Sequence, residues 1–197
     1  MDRLKGIICI FIFSMLSACS EVNSVQPFDA EQARVLIKEN TVSQPSKQMV
    51  ALKLPQEERW HKVSSSPRLL VPKGESTTTW QESIQTDALA LINTPTMNSQ
   101  QFAQEKFVEA KKNCEHVHAT ILSDSKHAVI YSLSQTDCTT ERNQKQIAKV
   151  LQGQDAVYFI RYAAIDNSIS SKQFNLMSKE IKKAYLVPNP RYGIKKP

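Results

Sequence analysis

Glycine is scarce, with only 4 in 197 residues, and no two of them lie close together. A loop that cradles phosphate through backbone N–H groups needs several closely spaced glycines. Phosphate-binding loops of that kind are therefore excluded. A Gly-x-Ser-x-Gly nucleophile turn is missing too, and no serine stands three residues before a lysine in a setting that would make the two a nucleophile and its base. No two cysteines are spaced Cys-x-x-Cys, the arrangement that lowers a thiol pKa and permits disulfide exchange. The longest apolar-dominated run is the ten residues Ile7 to Leu16, whereas a helix needs about 20 to cross a bilayer core. Basic residues are scattered rather than massed. A nucleic-acid surface wants a dense basic stripe with interleaved aromatics, so nucleic acid is not an expected partner.

The short apolar run belongs to an export signal, because Arg3 and Lys5 make the segment ahead of it positive. It closes on Leu16-Ser17-Ala18-Cys19, which resembles the lipobox of bacterial lipoproteins, with small residues before a cysteine that is acylated and becomes the new N-terminus. That resemblance implies a lipid on Cys19 anchoring the chain in a membrane. It also implies sorting to the outer membrane, since Ser20 rather than an aspartate follows the cysteine. Removal of residues 1–18 takes away Asp2, Arg3 and Lys5 and leaves 23 basic against 18 acidic residues. The 179 residues that remain fit one domain with appendages.

Cys9 leaves with the signal and Cys19 carries the lipid, which leaves Cys114 and Cys138 as an even pair in an oxidising compartment. A disulfide is expected between them. It closes a loop of about 24 residues, a constraint contributing roughly 3 kcal/mol.

Residues 19–47 read as a lipidated tether with one short helical patch after Asp29, whose Val35, Leu36 and Ile37 are too apolar for a pure spacer and are expected to bind a partner. A globular domain is expected over 48–187 and a basic, proline-containing tail over 188–197. Within the domain, strands are expected at Met49–Leu54, at Trp60 onward and at Arg68–Val71. The stretch Thr77–Leu91 is ambiguous between strand and helix. Ser99 is a candidate cap for a helix over Gln100–Lys112. Two strands, His116–Leu122 and His127–Leu133, are expected to form a hairpin turning at Asp124-Ser125, in a sheet covered on both faces. The spacing of Ile147, Val150 and Leu151 predicts a helix over Glu141–Leu151 ending at Gly153. A strong strand over Ala156–Ile165 and a last helix, capped by Ser170 or Ser171 and running to Lys183, complete the domain. Trp80, Ile130, Val157 and Phe159 are expected in the core.

His116 and His118 share one face of their strand, but no carboxylate or cysteine is placed to complete a metal site, so neither metal nor cofactor is expected. The elements Val71-Pro72-Lys73-Gly74-Glu75-Ser76, Trp80-Gln81-Glu82-Ser83-Ile84 and Ile147 to Tyr158, with the two spaced cysteines, resemble a group of exported proteobacterial proteins over about residues 50–185. The order of elements is similar to the PsbP-like fold. That resemblance implies an α+β domain, an antiparallel sheet between helices, mostly in binding or assembly proteins, and fold alone transfers no function. The sequence thus leads to a non-enzymatic envelope lipoprotein facing the periplasm, acting as an accessory subunit of a secretion, pilus or similar complex. Two alternatives stand beside it: a periplasmic enzyme or small-ligand carrier with a pocket between sheet and helices, and a free-standing structural lipoprotein.

Overall fold

The computed structural model describes residues 46–65, 67–91, 97–190 and 192. Cys19 and the segment Val35–Ile37 lie outside the described residues. The body is α+β: a seven-stranded antiparallel sheet with one helix on each face, beside a separate two-stranded ribbon.

In chain order the elements are β1 (Gln48–Ala51), β2 (Trp60–Ser65), β3 (Arg68–Pro72), β4 (Glu82–Ala90), α1 (Ser99–Asn113), β5 (Cys114–Ser125), β6 (Ala128–Cys138), β7 (Gln144–Gln152), β8 (Ala156–Ile165), α2 (Ser171–Lys183) and β9 (Tyr185–Pro188). The large sheet runs β2-β3-β4-β8-β7-β6-β5, and β1 pairs with β9. Thr77–Leu91 resolves as strand from Glu82 on, because its partner is the strongly apolar β8, in register from Glu82 opposite Ala164 to Ala90 opposite Ala156.

Successive residues of a strand point to opposite faces, and the register sorts the core into two layers. On one face Val157 and Phe159, Ala148 and Val150, and Val129, Tyr131 and Leu133 meet Phe102, Ala103 and Ala110 of α1. On the other, Ile160 and Tyr162, Ile147, Ile84, Leu70 and Trp60 meet Met177 and Ile181 of α2. Val157 and Phe159 are buried as expected, but Trp80 and Ile130 are only half-buried. Trp80 sits in a loop where the Arg142 guanidinium stacks over its ring at 4.3 Å.

The structure corrects three local expectations. Glu141–Leu151 is not a helix: Gln144–Gln152 is strand β7, between β6 and β8 and in contact with a helix on each side. Gly153 is accordingly not a helix cap but a turn residue. A Cβ there would stand 2.3 Å from the Tyr158 ring, so only glycine lets that ring pack onto the turn. Helix α1 is capped by Asn98, not Ser99. Asn98 accepts from the Gln101 backbone N–H while the Gln101 side chain accepts from the Asn98 N–H, a reciprocal capping box. The β5–β6 hairpin turns at Lys126-His127, with Ser125 opposite Ala128, and a bulge at Leu122 absorbs the shift. The sheet is not covered on both faces throughout, since nearly all of β5 is exposed.

The basic tail begins as structure. Val187 pairs with Met49, the Asn189 backbone N–H donates to the Lys47 carbonyl at 2.8 Å, and the Asn189 side-chain amide donates to the Ser46 carbonyl at 2.9 Å. Both chain ends of the body are therefore tied together. The ribbon docks on the body through Asp155, which accepts from the Lys47 N–H and from the Tyr158 hydroxyl at 2.7 Å. Burial, followed by the Asp155 hydrogen bond, pushes the Tyr158 hydroxyl up to about 12.

Candidate functional site

Three parts of the body carry more than packing, and each is built by a different register relation. The first is the outer hairpin. Among the described residues β5 has a strand neighbour on one side only, so its other edge presents backbone N–H and C=O groups with no ladder partner there. Ile121 and Leu122 on it are each 46 % exposed. Cys114 and Cys138 lie directly opposite each other and are disulfide-bonded, which fixes the open end of the hairpin beside the C-terminus of α1. Asn113 reinforces that junction by accepting from the Thr139 N–H at 2.8 Å and from its hydroxyl at 3.2 Å. His116 and His118 do share a face, yet His116 approaches Asp137 at 3.7 Å and His118 meets the Thr120 hydroxyl at 3.3 Å. Among the described residues no group of three His, Cys, Asp or Glu side chains could hold a metal ion.

The second part is a buried polar patch on the face that also carries α1. Gln135 of β6 stands opposite Gln144 of β7, and both donate side-chain hydrogen bonds to Glu141, at 2.6 and 2.9 Å. Gln146 donates to Gln135 at 3.3 Å, and Arg161 of β8 donates to Gln146 at 3.4 Å. Ser83 of β4 joins the same row, because it pairs with Ala163, which in turn pairs with Gln146. All three glutamines and Ser83 are almost wholly buried. Among the described residues the Ser83 hydroxyl, Gln144 Oε1 and Arg161 Nε have no hydrogen-bond partner. Buried polar atoms left unpaired cost free energy, and they are the groups that a bound polar molecule satisfies. On α1, Glu105 Oε1 is buried and unpartnered in the same way, and burial pushes its carboxyl up to about 7. Burial likewise raises the Tyr131 hydroxyl.

The third part is a charged network on the opposite face. Glu82 is 1 % exposed and ion-pairs with Arg59. Its other oxygen accepts from the Tyr162 hydroxyl at 2.7 Å and from the Gln173 amide at 3.4 Å. Burial and then the Glu82 hydrogen bond raise the Tyr162 hydroxyl. One carboxylate thus links the start of β2, β4, β8 and α2, and the Arg59 guanidinium also lies 5.6 Å from the Trp60 ring centre.

Of the sites expected from sequence, the structure joins Cys114 to Cys138, while Cys19 and Val35–Ile37 fall outside the described residues. The polar patch and the Glu82 network were not foreseen. Two signals could have pointed to the patch: glutamines alternating at 144 and 146 mark one strand face, and Arg161 interrupts an otherwise apolar strand.

No family model and no curated protein sequence matches this chain. Among solved structures, the chain is similar to the Ran-binding protein Mog1p of Saccharomyces cerevisiae, at 11 % identity and a TM-score of 0.45, over 73 % of this chain and 96 % of that one. It is also similar to LpqN of Mycobacterium tuberculosis, which is involved in cell envelope biogenesis, at 15 % identity and a TM-score of 0.47, over 77 % of this chain and 95 % of that one.

Proposed function

We propose that this chain is a lipid-anchored envelope protein that works by binding another envelope component, as a non-enzymatic accessory or assembly subunit of a secretion, pilus or similar complex. The observation that carries the reading is Leu16-Ser17-Ala18-Cys19 directly after a ten-residue apolar run with a positive flank. In this reading the lipid on Cys19 holds the protein at the outer membrane, and the PsbP-like body faces the periplasm at the end of a tether. Val35, Leu36 and Ile37 contact the partner. The outer hairpin supports a binding role, because the exposed edge of β5 is a template on which an extended segment of the partner adds as a further strand.

The test is paired. Metabolic labelling with a fatty-acid analogue marks the wild type, and Cys19→Ser loses both label and membrane association. Crosslinking from intact cells recovers an envelope protein with the wild type, and changing Val35, Leu36 and Ile37 to serine reduces that recovery. Equal labelling of Cys19→Ser overturns the anchor. Undiminished recovery with the triple variant overturns the role of the tether.

A second reading, a carrier of a small polar ligand or an enzyme acting on one, is favoured by the unpartnered Ser83, Gln144 and Arg161 atoms between the sheet and its loops. A periplasmic metabolite fraction that raises the melting temperature of wild type but not of Arg161→Met supports it. No shift with either protein removes it.

A further inference from the structure

Helix α2 buries Met177 and Ile181 against the sheet, and at 100° per residue the side opposite them is the arc of Lys172, Asn175, Leu176, Lys179, Lys182 and Lys183. All six are exposed. The arc carries four lysines and no acid. The helix's one acidic residue, Glu180, lies off the arc, half-buried, and pairs with Lys183 at 2.8 Å. Among the described residues, no acidic side chain pairs with Lys172, Lys179 or Lys182. Leu176, set among the lysines, is 43 % exposed, and Tyr185, two residues beyond the helix, is 61 % exposed.

We propose that this outer face of α2 binds an anionic lipid surface and sets the orientation of the body on the membrane. A helix lies in a bilayer interface when lysines on one face meet anionic headgroups and an apolar side chain among them enters the acyl boundary. Long lysine side chains suit this, because their methylene stems lie along apolar surface while the ammonium reaches the phosphates. The charge is of one sign over about three turns, which distinguishes this face from the mixed surface of α1, where Lys106 pairs with Glu109. The inference is independent of a lipid on Cys19.

The experiment uses the chain of residues 19–197 carrying Cys19→Ser, purified without a lipid, and vesicles of phosphatidylcholine with or without about one-third phosphatidylglycerol. Co-sedimentation is expected with the anionic vesicles and not with the neutral ones, weakening steeply as salt rises. Changing Lys172, Lys179 and Lys182 together to glutamine, which leaves the Lys183–Glu180 pair in place, should lower the partition coefficient at least tenfold, because each lysine near an anionic surface contributes roughly a fivefold gain. Leu176→Ser should lower it a few-fold. Thermal melts of both variants should match the wild type, since every altered side chain is exposed. Equal binding to neutral vesicles, or a triple variant that binds as well as the wild type, overturns the proposal. So does a wild-type chain that ignores vesicles but binds polyglutamate through the same lysines, which would make the face a site for an acidic protein.

Discussion

Strand β8 has a strand on each side and a helix on each face, and only Arg161 and Ile165 of its ten residues are more than slightly exposed. Strand β5 has one neighbour among the described residues, and only Cys114 of its twelve residues is buried, although Val117-His-Ala-Thr-Ile-Leu122 reads almost as apolar as Val157-Tyr-Phe-Ile160. The difference is position in the sheet rather than composition. Apolar content tells that a segment can be a strand, and the strand order decides whether it is covered. Stability therefore concentrates around β8, while the margin around β5 keeps backbone and side chains available.

Five measurements break or sharpen that contrast. The largest effect is expected at the centre: Phe159 is 4 % exposed with its ring 5.4 Å from that of Phe102, and Phe159→Ala should cost about 3 to 5 kcal/mol in denaturant unfolding. A cost below about 1 kcal/mol would erase the distinction between the strands. Next comes the clasp of the outer hairpin. Replacing Cys114 and Cys138 together by alanine should cost roughly 3 kcal/mol for a separation of 24 residues, and hydrogen exchange should quicken in β5 and β6 before it does in β8. Uniform quickening across the sheet would contradict a local role. Third, Glu82→Gln leaves Arg59 without its countercharge. Breaking a buried pair costs about 3 to 5 kcal/mol, but Arg59 is 36 % exposed, and water offsets part of that. A loss near 2 kcal/mol is expected.

The fourth effect is a pH dependence. Glu105 has its pKa raised from 4.5 to about 7, chiefly by burial, so the native state holds that proton more tightly than the unfolded chain does. Its contribution to stability is fully present below pH 4.5 and is lost as pH rises through about 7. Glu105→Gln should remove this decline and gain about 1 kcal/mol at pH 8, a figure reduced for its partial exposure. Parallel stability curves for the two proteins over that range would contradict it. The smallest effect belongs to the margin: Ile121→Ala should change stability by less than about 0.5 kcal/mol, and a larger loss would show that β5 is covered.

Most of the architecture can be read from residue patterns, because those patterns are local. β2, β3, β8 and both helices carry their own periodicity, and Ser170 accepts from the Gln173 N–H as the last helix's cap. β7 defeats such reading. Gln144-Lys-Gln-Ile-Ala-Lys-Val-Leu-Gln152 is made of good helix formers with apolar residues at helical spacing, followed by glycine. Its place between β6 and β8 overrides that preference, and Gln144 and Gln146 find partners only through Glu141, Gln135 and Arg161 of other segments. β9 hides for a similar reason, since four residues between a helix and a proline gain strand structure only from β1. The Glu82 network was illegible because Arg59, Glu82 and Tyr162 are far apart in the chain and meet only once the sheet has formed. Cys114 and Cys138 could be paired from sequence because assigning Cys9 to the signal and Cys19 to the lipid leaves just those two.

The tie between Ser46, Lys47 and Asn189 makes the β1–β9 ribbon a mechanical element. A pull on the chain ahead of Ser46 enters the body at one end of β1, where Gln48 pairs with Pro188. Load applied there opens an antiparallel ribbon like a zipper, one pair at a time from Gln48 towards Ala51, instead of shearing all of its bonds at once. The ribbon is no part of the seven-stranded sheet, and it rests on the body through Val50 and Leu186, so peeling it breaks those contacts but none of the sheet's own ladder bonds. Under load it is expected to yield first, as a fuse does, with the core opening only at higher force.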